Sequence, residues 1–315
     1  MVTEGGMVAD NSARRQPNAL ATMGWLIVMG AAWGLEFSMF KLAVEAGLPE
    51  IGILMVALVL VVVAFGAVIA WKNAWFRLNA EIIVFLIVVA VLGYVLPLLA
   101  ALWAASHVGA GMMTLIASFT PIVTVATALL FRTEHVSLRR ILAVTFGMIA
   151  GLMVLAPGVD LTGSRNFGWL LLVFVVPLTY GVESVYVWVK WPAGLSPLQI
   201  GAGQAAIALL GVIPLHLLTE PAMAYDPAWP VSQWAVILVG FLVLVEVFLY
   251  FAIIRDTGGV LVSFSFYISL FAGIAWGVTI FGEVFDWVTW IAVVALMIGL
   301  ALTVQPAGTT KGDTP

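Results

Sequence analysis

Three carboxylates stand deep inside apolar stretches: Glu36 in WGLEFSMFK, Glu183 in YGVESVYV and Glu246 in LVLVEVFLY. A carboxylate placed in hydrocarbon costs about 3 kcal/mol even on insertion scales, so it is expected to face a cavity or a partner. Burial penalises the charged form. The chemistry open to such a group is therefore binding of a small solute, or uptake and release of a proton. A structural role, with a protonated Glu hydrogen-bonded to a neighbouring helix, is the other reading for each. Hydroxyl-bearing side chains accompany them: Tyr94, Ser118, Tyr180, Tyr250, Ser265 and Tyr267. Tyr250 follows Glu246 by four residues, which puts both on one helix face. These nine residues form the predicted substrate- or proton-binding set.

Other chemistry finds no footing. The chain has no cysteine, and its three histidines, His107, His135 and His216, fall on separate elements. No HExxH, GxSxG or P-loop pattern is present, so neither a catalytic group nor a resident metal or cofactor is expected, apart from the option of proton coupling. Nothing points to nucleic acid. The expected partners are a small-molecule solute and the lipid bilayer, with the chain acting as a monomer or homodimer.

The elements that must hold these carboxylates are membrane spans. Of the 315 residues, 63% are hydrophobic and 9% charged, and the mean hydropathy is +1.17. Polar surface cannot cover that much apolar side chain in water. A crossing needs about 20 apolar residues, which gives ten predicted spans: 23–45, 49–71, 81–105, 109–131, 139–157, 167–190, 197–219, 231–254, 258–282 and 287–305. Ten of the twelve Lys/Arg lie at alternate ends of these spans, Arg165 and Lys41 being the exceptions. The positive-inside rule then places both termini in the cytoplasm. The tails 1–20 and 306–315 are polar and expected to be disordered. Trp71, Trp75, Trp229, Trp234, Trp287 and Trp290 at span ends are expected to form an interfacial belt.

The chain also repeats. WGLE at 33–36 returns as YGVE at 180–183, and AGLP at 46–49 as AGLSP at 193–197. WAASHVGAGMMTLIAS (103–118) aligns with FAIIRDTGGVLVSFSF (251–266), an offset of 148 residues. Gly147 and Gly151 meet Ala295 and Gly299, and FRTE at 131–134 falls beside FGE at 281–283. Glu36 and Glu183 are repeat mates, whereas Glu246 aligns with Leu98. Each half, 21–158 and 159–305, holds five spans. An odd number inverts the second copy, and inverted repeats are the architecture of alternating-access carriers. Glu134 and Glu283, at span ends, are expected to organise loop contacts. Lys41 is expected to reach up to the headgroups, and Pro121 to interrupt the fourth span.

The WG pair of the first span, the block TPIVTVATALLFRTEHVSLRRILAVTFGMIAGLMVL (120–155) and FGEVFDWVTWIAVVALMIGLAL (281–302) resemble the drug/metabolite transporter superfamily, EamA-type branch. The resemblance covers residues 20–305. It implies an all-α polytopic membrane protein of ten transmembrane helices in two inverted-topology five-helix repeats. It further implies a secondary active transporter, not an enzyme, in the bacterial inner membrane, exporting a small metabolite such as an amino acid or an amine-bearing solute. A lipid or lipid-linked carrier of the same fold is the nearest alternative, ahead of a membrane-embedded enzyme.

Overall fold

The computed structural model describes residues 19–133, 166–223, 226–228 and 230–303, with isolated helical positions between 138 and 153. All regular structure among them is helical. Eight helices are long and apolar enough to cross a membrane, and a shorter apolar one follows at Trp287–Gly299. The fifth predicted span, with Glu134, His135, Arg139, Arg140, Gly147 and Gly151, lies largely outside the described residues. So do Arg165, Trp229 and both tails.

The first two spans are single helices, α1 (Ala19–Glu45) and α2 (Glu50–Trp71). The third is α3 (Ala80–Ala90), a π turn (Val91–Val95) and α4 (Leu96–Ala104). Pro97 explains the widened turn, because it brings no N–H to the carbonyls one turn earlier and its ring pushes that backbone away. The fourth span is α5 (Ala110–Ala117) and α6 (Thr120–Leu130). The fourth span is thus interrupted at Ser118–Phe119, as expected of Pro121, which sits in the first turn of α6, where a missing N–H is harmless. The carbonyl it fails to serve, that of Ala117, instead accepts from the Thr120 hydroxyl at 2.6 Å.

The sixth predicted span divides at Phe174 into α7 (Asn166–Val173) and α8 (Val175–Lys190). Pro177, four residues past Val173, accounts for that break in the same way. Then follow α9 (Pro197–Thr219), α10 (Val231–Thr257), the short α11 (Gly259–Ser263), α12 (Ser265–Phe281) and α13 (Trp287–Thr303). The AGL turns after α1 and α8 behave alike, since Gly47 and Gly194 both take φ +81°. A side chain would strain that left-handed backbone.

Helix α1 lies against α12 and α10, α2 against α9 and α10, and α8 against α6 and α4. The α1–α12 approach depends on Gly34, where a Cβ would fall 2.7–2.8 Å from Ala272, Ser269 and Gly273 of α12. Close backbone approach through small residues is how helices associate where lipid removes the hydrophobic driving force. Large apolar side chains such as Val63, Leu210, Phe241 and Val294 point outward. Trp71, Trp75, Trp234, Trp287 and Trp290 are also exposed at helix ends, as an interfacial belt requires.

Candidate functional site

The site is assembled from the middle of five spans. Glu36 comes from α1, Glu183 and Tyr180 from α8, and Glu246 and Tyr250 from α10. The π turn supplies Gly93 and Tyr94, and α9 supplies Gln204. Together they line one cavity of about 20 Å³, room for roughly a single water molecule. The three carboxyl groups are no more than 3% exposed.

Each carboxyl has different company. Glu183 accepts from the Tyr250 hydroxyl at 3.1 Å and stands 3.5 Å from Gln204 Nε2. That amide nitrogen is committed chiefly to the Val89 carbonyl, at 2.9 Å, at the entrance to the π turn. Glu246 is within hydrogen-bonding reach of both Glu36 and the Trp33 indole N–H. Two carboxyls can share a hydrogen bond only if one carries a proton. One oxygen of Glu36 and one of Glu246 are buried without a partner, as are the Tyr94 hydroxyl and Gln204 Oε1. Such orphaned atoms are rare in a packed interior, and these four belong to residues that line the one cavity.

Aromatic rings close the walls. Trp33 stacks on Phe266 with centroids 4.1 Å apart, and lies 5.8 Å from Tyr180 and 6.3 Å from Tyr250. Gly93 is needed where the π turn meets Glu183. A Cβ there would collide with Gln204 Nε2 and stand 2.5 Å from Glu183 Oε1.

The structure therefore brings together six of the nine predicted residues: Glu36, Tyr94, Tyr180, Glu183, Glu246 and Tyr250. The other three stand apart from the cavity. Ser118 and Ser265 spend their hydroxyls on backbone carbonyls three residues back, Leu115 and Val262. Tyr267 is buried beside Phe264 instead. Trp33, Gly93 and Gln204 were missed by sequence reading, although signals existed. Trp33 precedes Glu36 by three residues and so shares its face, and Gln204 is a polar residue in the middle of an apolar helix. Leu98, the repeat mate of Glu246, lines the same cavity.

Two further carboxylates act outside the cavity. Glu283 accepts from the backbone N–H groups of Ala110 and Gly111, at 2.6 and 2.9 Å, at the start of α5. Lys41 lies 3.7 Å from it, so Lys41 turns inward to a carboxylate and does not reach to the headgroups as expected. Glu220 likewise accepts from Ile51 and Gly52 at the start of α2, at 2.9 and 3.0 Å. Both arrangements place negative charge at a helix N-terminus, where orphan N–H groups and the helix dipole favour it.

Comparison with known proteins follows the same lines. Among solved structures 28 chains match. One, described only as the crystal structure of a protein, superposes with a TM-score of 0.64 over 88% of this chain and 96% of its own, at 15% identity. At that identity the likeness speaks for the fold alone. No curated protein sequence matches. The model of the EamA-like transporter family matches twice, at residues 20–156 and 167–305. With nearly its whole length taken up by two copies of that unit, the chain belongs to the EamA-like transporter family.

Proposed function

We propose that the protein is a secondary active transporter that moves a small amphipathic metabolite, with export as its direction, by alternating access. In this reading it lies in a bacterial inner membrane with both termini in the cytoplasm. The observation that carries the proposal is the meeting of Glu36, Glu183 and Glu246, from three helices, in one buried cavity near mid-span. Carboxyl groups cost too much there to serve packing alone, and the orphaned oxygens need a transient occupant.

Helix pairing supports two exchanging halves. α1 lies on α12 as α8 lies on α6, and α2 meets α10 as α9 meets α3. The end contacts follow: Glu220 caps the start of α2, and at the other end of the same pair Gln199 Nε2 donates to the Ala74 carbonyl at 2.8 Å. Two inverted halves rocking about a midplane site would open the cavity to one side and then the other. In the arrangement described the cavity has space for about one water.

The Glu36–Glu246 pair offers the coupling step. A solute that needs the pair ionised displaces its proton, and reprotonation releases the solute on the other side. The test is counterflow and gradient-driven uptake in proteoliposomes over a panel of metabolites, with and without an imposed proton gradient. Flux of at least one solute that falls about tenfold or more when the gradient is collapsed is expected. Gradient-insensitive flux would remove the coupling, and absence of flux for the whole panel would remove the transporter reading.

A further inference from the structure

We infer that the solute taken by this site is a monovalent organic cation, an amine with an apolar body and no carboxylate of its own. The inference rests on the transporter reading above and narrows its solute. Among the described residues no Lys, Arg or His lines the cavity, while three carboxyls do. The described cations are engaged or placed elsewhere. Lys41 lies near Glu45 and Glu283, Arg255 pairs with Asp256, and Lys72, Arg77, Arg132 and Lys190 are at exposed helix ends or loops.

A free amino acid brings an ammonium and a carboxylate. The ammonium would find acceptors in Glu36, Glu246 and the Tyr94 hydroxyl, whose oxygens lack partners. Its carboxylate would find none of the usual receptors, which are a guanidinium, an ammonium or a helix N-terminus. Of the neutral donors, Tyr250 is used on Glu183 and Gln204 on Val89, and the Trp33 indole lies beside Glu246, which leaves the tyrosine hydroxyls of Tyr94 and Tyr180 and no cation to receive it. The helix N-termini at α2 and α5 are occupied by Glu220 and Glu283. A second carboxylate would thus enter a site that already repels it.

The walls fit the same solute. The Trp33 ring lies 5.8 Å from Tyr180 and 6.3 Å from Tyr250, and aromatic faces attract cations that have shed water. Charge balances if one cation enters as the proton held between Glu36 and Glu246 leaves with water to the open side. The titratable groups facing that pair are Glu183, Tyr94, Tyr180 and Tyr250.

The experiment compares four probes of similar shape on the purified protein in lipid nanodiscs: phenethylamine, phenylalanine methyl ester, phenylalanine and 3-phenylpropionate. Calorimetric binding and thermal shift are both read. The amine and the ester are expected to bind at least tenfold more tightly than phenylalanine, with no binding of phenylpropionate. Glu246→Gln should weaken the amine by tenfold or more, as should Glu36→Gln, both isosteric changes that keep the packing. Trp33→Phe, which keeps a ring against Phe266, gives a second handle and should weaken it less. Phenylalanine binding as well as its ester, binding of phenylpropionate, or amine binding untouched in both Gln variants would overturn the proposal. Amino-acid flux without amine binding would sink the cation while leaving the transporter, whereas amine binding without any flux would do the reverse.

Discussion

Glu36 and Glu246 lie within reach of a hydrogen bond that neither can make while both are charged, and this sets what substitution should do. Glutamine retains an N–H to donate but has no proton to exchange. Glu36→Gln and Glu246→Gln should each leave folding nearly unchanged and abolish proton release on solute binding. Calorimetry in two buffers of different ionisation enthalpy checks this: about one proton per solute is expected for the native chain and none for either variant. Gly93→Ala is a steric test of the same site, since the new methyl would meet Gln204 and Glu183. Overpacking of this kind costs about 1–3 kcal/mol, so a lower melting temperature and loss of flux are expected. Unchanged flux in Gly93→Ala would show that Glu183 need not keep its place. The carboxylates were legible in the sequence because hydrocarbon makes them expensive wherever they point. Ser118 and Ser265 misled because a hydroxyl in a helix can satisfy itself on the carbonyl one turn back. Serine thus carries no such penalty and signals nothing by its presence.

Helix ends are where the elements are fastened, and each fastening can be tested. Removing Glu283 strips two N–H groups at the start of α5 of their acceptor and leaves Lys41 without it. A buried donor without its partner costs about 1–3 kcal/mol. Glu283→Ala should therefore lower the melting temperature by several degrees and favour opening at that end. Asp286 caps α13 more lightly, accepting from the Thr289 N–H and hydroxyl at 2.7 Å each. These bonds to the charged form hold its carboxyl below the ordinary value. Its contribution is full above the usual carboxylate range and is lost as pH falls through the depressed value. Because Asp286 is exposed, Asp286→Ala should cost only about 0.5–1 kcal/mol. Melting curves of the two forms should converge in acid. Apolar length located the eight spans that the described residues show, and the AGL repeat marked what prove to be matching turns at Gly47 and Gly194. Of the internal breaks only the one at Pro121 was read; the π turn before Pro97 and the break before Pro177 were not, and each hinges on what replaces a proline's absent N–H. Thr120 serving Ala117 is a contact that hydropathy cannot see.

At the scale of the molecule, a transport cycle must enlarge a cavity that now admits about one water. The chain contains no cysteine, so one introduced at Val243 in the cavity wall is a clean reporter. It should react slowly with a membrane-impermeant thiol reagent in the native background and faster in Glu283→Ala. Equal rates would show that the Lys41–Glu283 latch does not govern access. Family membership and the double motif were readable from residues 20–305, because the repeat spacing persists through divergent apolar sequence. The occupants of equivalent positions were not readable as a mechanism. Leu98 and Glu246 are mates in register yet chemically opposite, and they meet in one cavity.

The π turn of Val91–Val95 is present in one half only, its counterpart in α10 running as unbroken helix from Val231 to Thr257. A widened turn bends where a regular helix resists. In the proposed cycle, opening towards one side of the membrane would flex a hinge that opening towards the other does not. Thermodynamics still fixes the final distribution of solute, so the ratio kcat/KM must agree in the two directions when no gradient is applied. The separate constants need not agree. The carrier should work as a kinetic rectifier, saturating at one solute concentration from one side and at a different one from the other.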